Sequence, residues 1–155
     1  MEKVRIDEID RRIDVSTDQR PLTKALGASD LALNYYELAP GDSPAYGYHK
    51  HERQEEVFYL QQGEMTFETE AGEVVLEGGE AIRFGPGEYQ RGVNTGSERA
   101  VLLAVGAPQD GGDVEILREC PECGDRTPTT VELAADREGK ITRCLACGTE
   151  TGYFE

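Results

Sequence analysis

From Leu31 the chain settles into short apolar runs broken by turn residues. The runs "LALNYYEL", "VFYL", "MTFETE", "VVLE", "AIRF" and "AVLLAVGAP" are separated by "APGDSP", "QQGE", "AGE", "GGE" and "GPGEY". β-branched and aromatic residues bounded by Gly, Pro, Asp and Asn clusters have the chemistry of strands and tight turns. Six or more strands at such close intervals predict a mainly β sandwich or barrel. Ahead of them, "RPLTKALGASD" predicts one short helix stopped at Gly27, where a left-handed residue is wanted. After Pro108, "QDGGD" reads as a linker, and a separate cysteine-bearing unit follows. The expected organisation is an N-terminal extension with a short helix over 1–30, a barrel over 31–107, a linker over 108–116 and a small unit over 117–155. No internal repeat or low-complexity tract interrupts it.

Composition narrows this picture. A chain of 155 residues with 18 glycines supports one main core and many turns rather than long helices. No apolar run approaches the ~20 residues of a membrane span, and the opening "MEKVRIDEID" is charged, so a cytoplasmic protein is expected. The formal net charge is −15, with lysine only at Lys3, Lys24, Lys50 and Lys140. Scarce lysine with excess acid resembles proteins of salt-loving organisms, and it is also the composition of an ordinary acidic, soluble protein. In ordinary salt such a field repels nucleic acid and anionic membranes. In molar salt the Debye length shrinks to roughly 3 Å and that exclusion weakens.

Both histidines of the chain lie in "YHKHERQEEVFYLQQGE". His49 and His51 are two apart, so on a strand they share a face with β-carbons roughly 6–7 Å apart, close enough to converge on one ion. Glu56 falls on the wrong face if that strand simply continues, so the chain must turn at "ERQE" and deliver Glu56 from the next strand. Two histidines and a carboxylate are the ligand set of non-haem Fe(II) sites and also suit Mn, Co, Ni and Zn. An exposed His-x-His pair also occurs as an ordinary polar strand, and spacing alone does not decide between the two.

The spacing His49-x-His51-x4-Glu56-x6-Gly63, followed after 15 residues by "GEAIRFGPGEYQRGVN", resembles the paired motifs of the cupins. These are small double-stranded β-helix (jelly-roll) barrels with a metal or substrate site inside, and the short gap is similar to that of compact microbial cupins, including those of halophilic archaea. The resemblance covers about residues 31 to 107. It implies that His49, His51 and Glu56 are metal ligands and that Gln90 stands where the family's third histidine ligand would be. Ser43 and Gly85 are further departures, in places where the family usually has glycine and proline. Two consequences of Gln90 stay open: it is a weak fourth ligand or a hydrogen-bonding neighbour of a bound ion, or the ion is lost and the residues line a polar pocket.

Around these residues, Glu55 is expected on the outer face. Phe58, Tyr59, Phe67 and Phe84 are expected to pack the barrel, and Tyr35, Tyr46, Tyr48 and Tyr89 to lie near a pocket mouth. Arg83 and Arg91 are candidates for neutralising an acidic ligand or for an ordinary surface role.

All four cysteines fall in "CPECG" and "CLACG", as Cys120-x2-Cys123, 20 residues, then Cys144-x2-Cys147. A Cys-x2-Cys turn points two thiolates at one ion, with Gly124 and Gly148 supplying the free backbone such a knuckle needs. Disulfides do not suit a chain expected in the cytoplasm, and a redox pair needs no second copy. The pattern resembles a zinc ribbon, with iron the main alternative to a structural Zn2+. The unit has few large apolar side chains, chiefly Val131, Leu133, Ile141, Leu145, Tyr153 and Phe154, so metal must supply much of its stability. Its basic side chains, among them Arg126, Arg137, Lys140 and Arg143, are outnumbered by acids.

The resulting expectation, with the dimeric state that resemblance to small cupins implies, is a homodimer binding a divalent metal and a small-molecule metabolite in the barrel, acting as a metal-dependent oxygenase or isomerase. The competing class is a non-enzymatic binding or regulatory protein whose ribbon contacts a protein or nucleic acid. No nucleophile or cofactor loop names a reaction.

Overall fold

Strict alternation is clearest in "AVLLAVGA", where Ala100, Leu102, Ala104 and Gly106 are buried and the residues between them are half-buried. That period of two requires a neighbouring layer on one side of the strand. The computed structural model describes residues 1–12, 18–135 and 138–154. Its strands are β1 (Asp18–Pro21), β2 (Ala32–Leu38), β3 (Tyr48–His51), β4 (Glu55–Gln62), β5 (Glu64–Thr69), β6 (Gly72–Glu77), β7 (Ala81–Phe84), β8 (Gln90–Val93), β9 (Ala100–Ala107), β10 (Val114–Cys120), β11 (Asp125–Leu133), β12 (Lys140–Cys144) and β13 (Glu150–Phe154). A single helical turn, α1 (Leu22–Ala25), precedes β2, and Gly27 follows it at φ 65°, as the sequence implies.

The strands form two sheets. One has the order β1-β2-β9-β4-β7 and the other β13-β12-β11-β10-β3-β8-β5-β6. Their facing sides enclose Leu38, Phe58, Leu60, Met65, Phe67, Leu76, Phe84 and Leu102. Each such side chain contributes roughly 1.5–3 kcal/mol by leaving water. Phe58, Phe67 and Phe84 make a tilted cluster with ring centroids 5.1 to 6.1 Å apart. Tyr59 does not join them: the alternation of β4 turns it outward, 41% exposed. The β4–β5 turn passes through Gly63, whose φ of 94° and approach to Ala100 leave no room for a side chain.

β1 was not legible from patterning because its inward residues are polar. Asp18, 2% exposed, accepts from Arg20 Nε at 3.1 Å and Nη2 at 3.2 Å, and Arg11 lies 3.2 Å away. Arg20 Nη1 also donates to the carbonyls of Ile6 and Ile9, tying the first residues to the sheet.

The cysteine-bearing unit is less separate than expected. β10 begins at Val114, inside the expected linker over 108–116, and pairs with β3 through Val114↔His51, Ile116↔His49 and Leu117↔Tyr48. Its far end pairs with β11, down to Cys120↔Asp125. One sheet therefore runs from the barrel wall into the cysteine hairpins, because β10 is long enough to serve both. The apolar side chains of that unit divide: Ile141 is buried, whereas Leu133, Leu145 and Tyr153 are exposed.

Candidate functional site

β3 and β4 are joined by the turn that the displaced face of Glu56 demands. It delivers His49, His51 and Glu56 to one point inside the barrel. Glu56 Oε2 lies 3.3 Å from His51 Nε2 and 3.8 Å from His49 Nε2, and the imidazole rings are nearly perpendicular with centroids 5.3 Å apart. One ligand atom from each lies within 4.8 Å of the others. Neighbouring donors around an octahedral ion at about 2.1 Å sit about 3.0 Å apart, so the three fit a divalent ion with modest tightening.

Burial pushes the Glu56 carboxyl up, but hydrogen bonds and electrostatic attraction to His49 and His51 outweigh it and hold it down at about 2. The group is a carboxylate at neutral pH. His49 Nδ1 lies 3.0 Å from the Gly47 carbonyl, which turns Nε2 toward the centre. Among the described residues His51 Nδ1, which is buried, has no hydrogen-bond partner, and it packs toward Gly111.

Gln90 joins the same group. It is 2% exposed and stands opposite His49 across β3 and β8. Its Nε2 donates to Glu56 Oε2 at 2.9 Å and lies 3.0 Å from His49 Nε2.

The cavity before this group is about 200 Å³ and is lined by Ala32, Asn34, Tyr36, Pro44, Ala45, Gln54, Phe58, Ala104 and Gly106 with the four site residues. Its space exists because Ala32, Ala45, Ala104 and Gly106 are small. Gln54 fills the place of a side chain at Gly106 and donates through Nε2 to the Pro108 carbonyl at 2.7 Å. The Arg53 amide donates to the Gly111 carbonyl and the Glu52 amide to that of Asp113. The segment expected to be a free linker is thus strapped against the site. A larger groove of about 630 Å³ lies outside, between β3 and the cysteine hairpins; it shares His51 but not the rest of the cluster.

Sequence patterning missed Asn34, Tyr36 and Gln54. For Asn34 a signal existed: it shares a strand face with Tyr36 and Leu38, and a polar residue among core-facing positions marks a cavity. Gln54 carries no such signal, since a glutamine in a turn is ordinary. Glu55 points outward, as expected, where it pairs with Arg83 at 2.6 Å. Tyr48 and Tyr89 do not reach the cavity; they stack at 5.0 Å, with Arg126 over one and Lys50 over the other. Arg91 also lies outside the cavity lining, and its buried Nε has no hydrogen-bond partner among the described residues.

At the other end of β10, the four thiols gather. Cys120 Sγ and Cys147 Sγ are 3.5 Å apart, and Cys123 Sγ and Cys144 Sγ 3.9 Å. The edge of a tetrahedron with Zn–S of about 2.3 Å is about 3.8 Å, so these residues fit a four-thiolate ion. Gly124 and Gly148, at φ 68° and 78°, close the knuckles by donating to the Cys120 and Cys144 carbonyls. A hydrogen bond from Thr127 is the chief cause that brings the Cys144 thiol down to about 6. Hydrogen bonds to the Cys147 and Cys120 thiols push Cys123 up to about 12. Of the basic side chains of this unit, Arg126 pairs with Glu68 and Glu119, Arg143 with Glu132, and Lys140 donates to Tyr46 Oη. Arg137 lies outside the described residues.

Residues 34–106 match the model of the cupin domain. The barrel has the cupin fold. No curated protein matches the chain. Among solved structures, it is similar to a cupin-superfamily sugar phosphate isomerase from Silicibacter pomeroyi, with 23% identity over 99% of this chain and 91% of that one and a TM-score of 0.62. The polyketide cyclase RemF from Streptomyces resistomycificus is 24% identical over 74% of this chain and 83% of its own, with a TM-score of 0.62. A cupin 2 conserved barrel domain protein from Salinispora arenicola is 19% identical over 69% and 88%, with a TM-score of 0.58. Among the described residues, no helix is long and apolar enough to cross a membrane.

Proposed function

We propose that the cupin barrel is a metal-dependent small-molecule site, with His49, His51 and Glu56 holding a divalent ion (Fe, Mn, Ni, Co or Zn), and that Cys120, Cys123, Cys144 and Cys147 hold a structural Zn2+. The observation that supports it most is the convergence of the three ligand-type atoms within 4.8 Å at the wall of a cavity. A bound ion there supplies Lewis acidity, which suits isomerase or oxygenase chemistry. Glu56 provides the one negative charge of the ligand set. His49 is aimed by the Gly47 carbonyl, and Gln90 holds Glu56 in place from behind or, after a half-turn of its amide, offers Oε1 as a weak fourth donor.

Elemental analysis tests this reading. The native protein should carry about one zinc per chain and a second metal that disappears in His49→Ala; zinc alone, unchanged by the substitution, overturns it. A second reading, a metal-free binding pocket in a non-enzymatic or regulatory protein, is supported by the Gln90 contacts to Glu56 and His49, which satisfy both groups without an ion. A nucleic-acid role for the ribbon draws little support, because Arg126, Arg143 and Lys140 are already engaged within the chain. Homodimerisation belongs to the same proposal; edge strand β6, with Val74 41% and Val75 55% exposed, offers a surface for it, and sedimentation equilibrium tests it. Cytoplasmic location is likewise part of the proposal, as is adaptation to high salt, which the acidic composition supports.

A further inference from the structure

Among the described residues, the cavity wall contains no lysine or arginine. Its charged chemistry is confined to His49, His51 and Glu56, and the remaining polar groups are the neutral side chains of Asn34, Tyr36, Gln54 and Gln90. A divalent ion held with one carboxylate leaves a net charge of +1 in this space. One further negative charge brings it to neutrality. A phosphate monoester, near two negative charges at neutral pH, leaves an excess negative charge in a partly buried site with no cation to receive it, inside a chain of net charge −15.

Size points the same way. About 200 Å³ falls below the roughly 300–1,000 Å³ of pockets that enclose drug-sized ligands, so the occupant has few heavy atoms. Asn34 is the remaining determinant. Gln54 is committed to the Pro108 and Gln109 carbonyls and Gln90 to Glu56, whereas the Asn34 amide makes no hydrogen bond among the described residues. It offers one donor and one acceptor to whatever enters.

We propose, resting on the metal reading of His49, His51 and Glu56, that the ligand is a small, singly charged 2-hydroxy- or 2-oxocarboxylate without phosphate, and that Asn34 is its orienting residue. Two oxygens on adjacent carbons suit chelation of one ion, and the carboxylate cancels the residual charge. Asn34 then bonds an oxygen of the ligand and discriminates against groups that offer it nothing. The likeness to a sugar phosphate isomerase thus extends to the fold but not to the phosphate.

The test uses full-length protein with zinc retained and Co2+ added to the barrel, read by its visible spectrum and by calorimetry. L-Lactate and pyruvate should shift the cobalt bands and saturate, while glucose 6-phosphate at the same concentrations should not. Asn34→Ala should take up Co2+ as the parent does but bind lactate about tenfold more weakly, the loss of one hydrogen bond. Asn34→Asp should bind neither acid measurably. Tighter binding of glucose 6-phosphate than of either acid, or unchanged lactate affinity in both variants, overturns the proposal. Cobalt uptake without any response to the acids overturns it while leaving the metal reading intact; failure to take up cobalt overturns both.

Discussion

Gln90 stands opposite His49 across the β3–β8 ladder, its Nε2 3.0 Å from the histidine's Nε2 and 2.9 Å from Glu56 Oε2. It therefore positions two of the three ligand-type groups at once. Replacing it by alanine should lower the affinity of the barrel for Co2+ by about 10–100-fold, the usual cost of losing such a support. Calorimetric titration of Gln90→Ala with Co2+ checks this, and an affinity equal to that of the parent excludes the supporting role.

Gly111 lies where a β-carbon would be 3.1 Å from His51 Nδ1 and 3.3 Å from Gln54 Cβ. His51 lacks the carbonyl partner that fixes His49, so packing from this strap is what orients its ring. Gly111→Ala should weaken Co2+ binding while leaving the melting temperature within a few degrees of the parent. A variant that melts much earlier would instead assign Gly111 to the fold.

Gly92 faces Phe67 with no space between them, and a β-carbon there would meet Phe67 Cε1 at 2.8 Å. Phe67 is fully buried among Phe58 and Phe84 and has nowhere to retreat. Gly92→Ala should cost about 1–3 kcal/mol by overpacking, measured by urea denaturation.

Arg20 neutralises the buried Asp18 and also holds the Ile6 and Ile9 carbonyls. Arg20→Ala leaves that carboxylate with Arg11 as its remaining partner among the described residues, so the loss should fall near the lower end of the usual ~3–5 kcal/mol for a broken buried pair. Urea melts of the variant give the value, and faster hydrogen exchange at the first residues should accompany it.

The barrel was legible because most inward strand positions from Leu38 to Leu102 are apolar and most turns carry Gly, Pro or Asp. The ligand group was legible for a different reason: two histidines on one face, with a carboxylate displaced from it, require a turn. What stayed hidden has physical causes too. β1 is held by an ion pair rather than by apolar alternation, so Asp18 and Arg20 look like surface residues. Gln54 and Gly111 act through long-range packing that no local pattern encodes. Leu133 and Leu145 read as core, yet the cysteine hairpins are too thin to bury them.

On the zinc reading proposed above, hairpins this thin depend on the ion. Binding energies of about 10–16 kcal/mol for such zinc sites exceed what Ile141 and Ala134 can supply by burial. Chelation of zinc should therefore abolish amide protection in β11, β12 and β13 while β4 and β9 stay protected, as read by hydrogen exchange. Uniform loss of protection would place the barrel under the same control.

Because β10 is at once the flank of β3 and the root of the first knuckle, the cysteine hairpins cannot be cut away as a detachable tag. A chain truncated after Pro108 would present the backbone of the histidine-bearing strand to solvent as a raw border, inviting it to recruit a strand from another molecule. Any minimal version of this protein for crystallisation or engineering must keep residues up to Leu117 at the least.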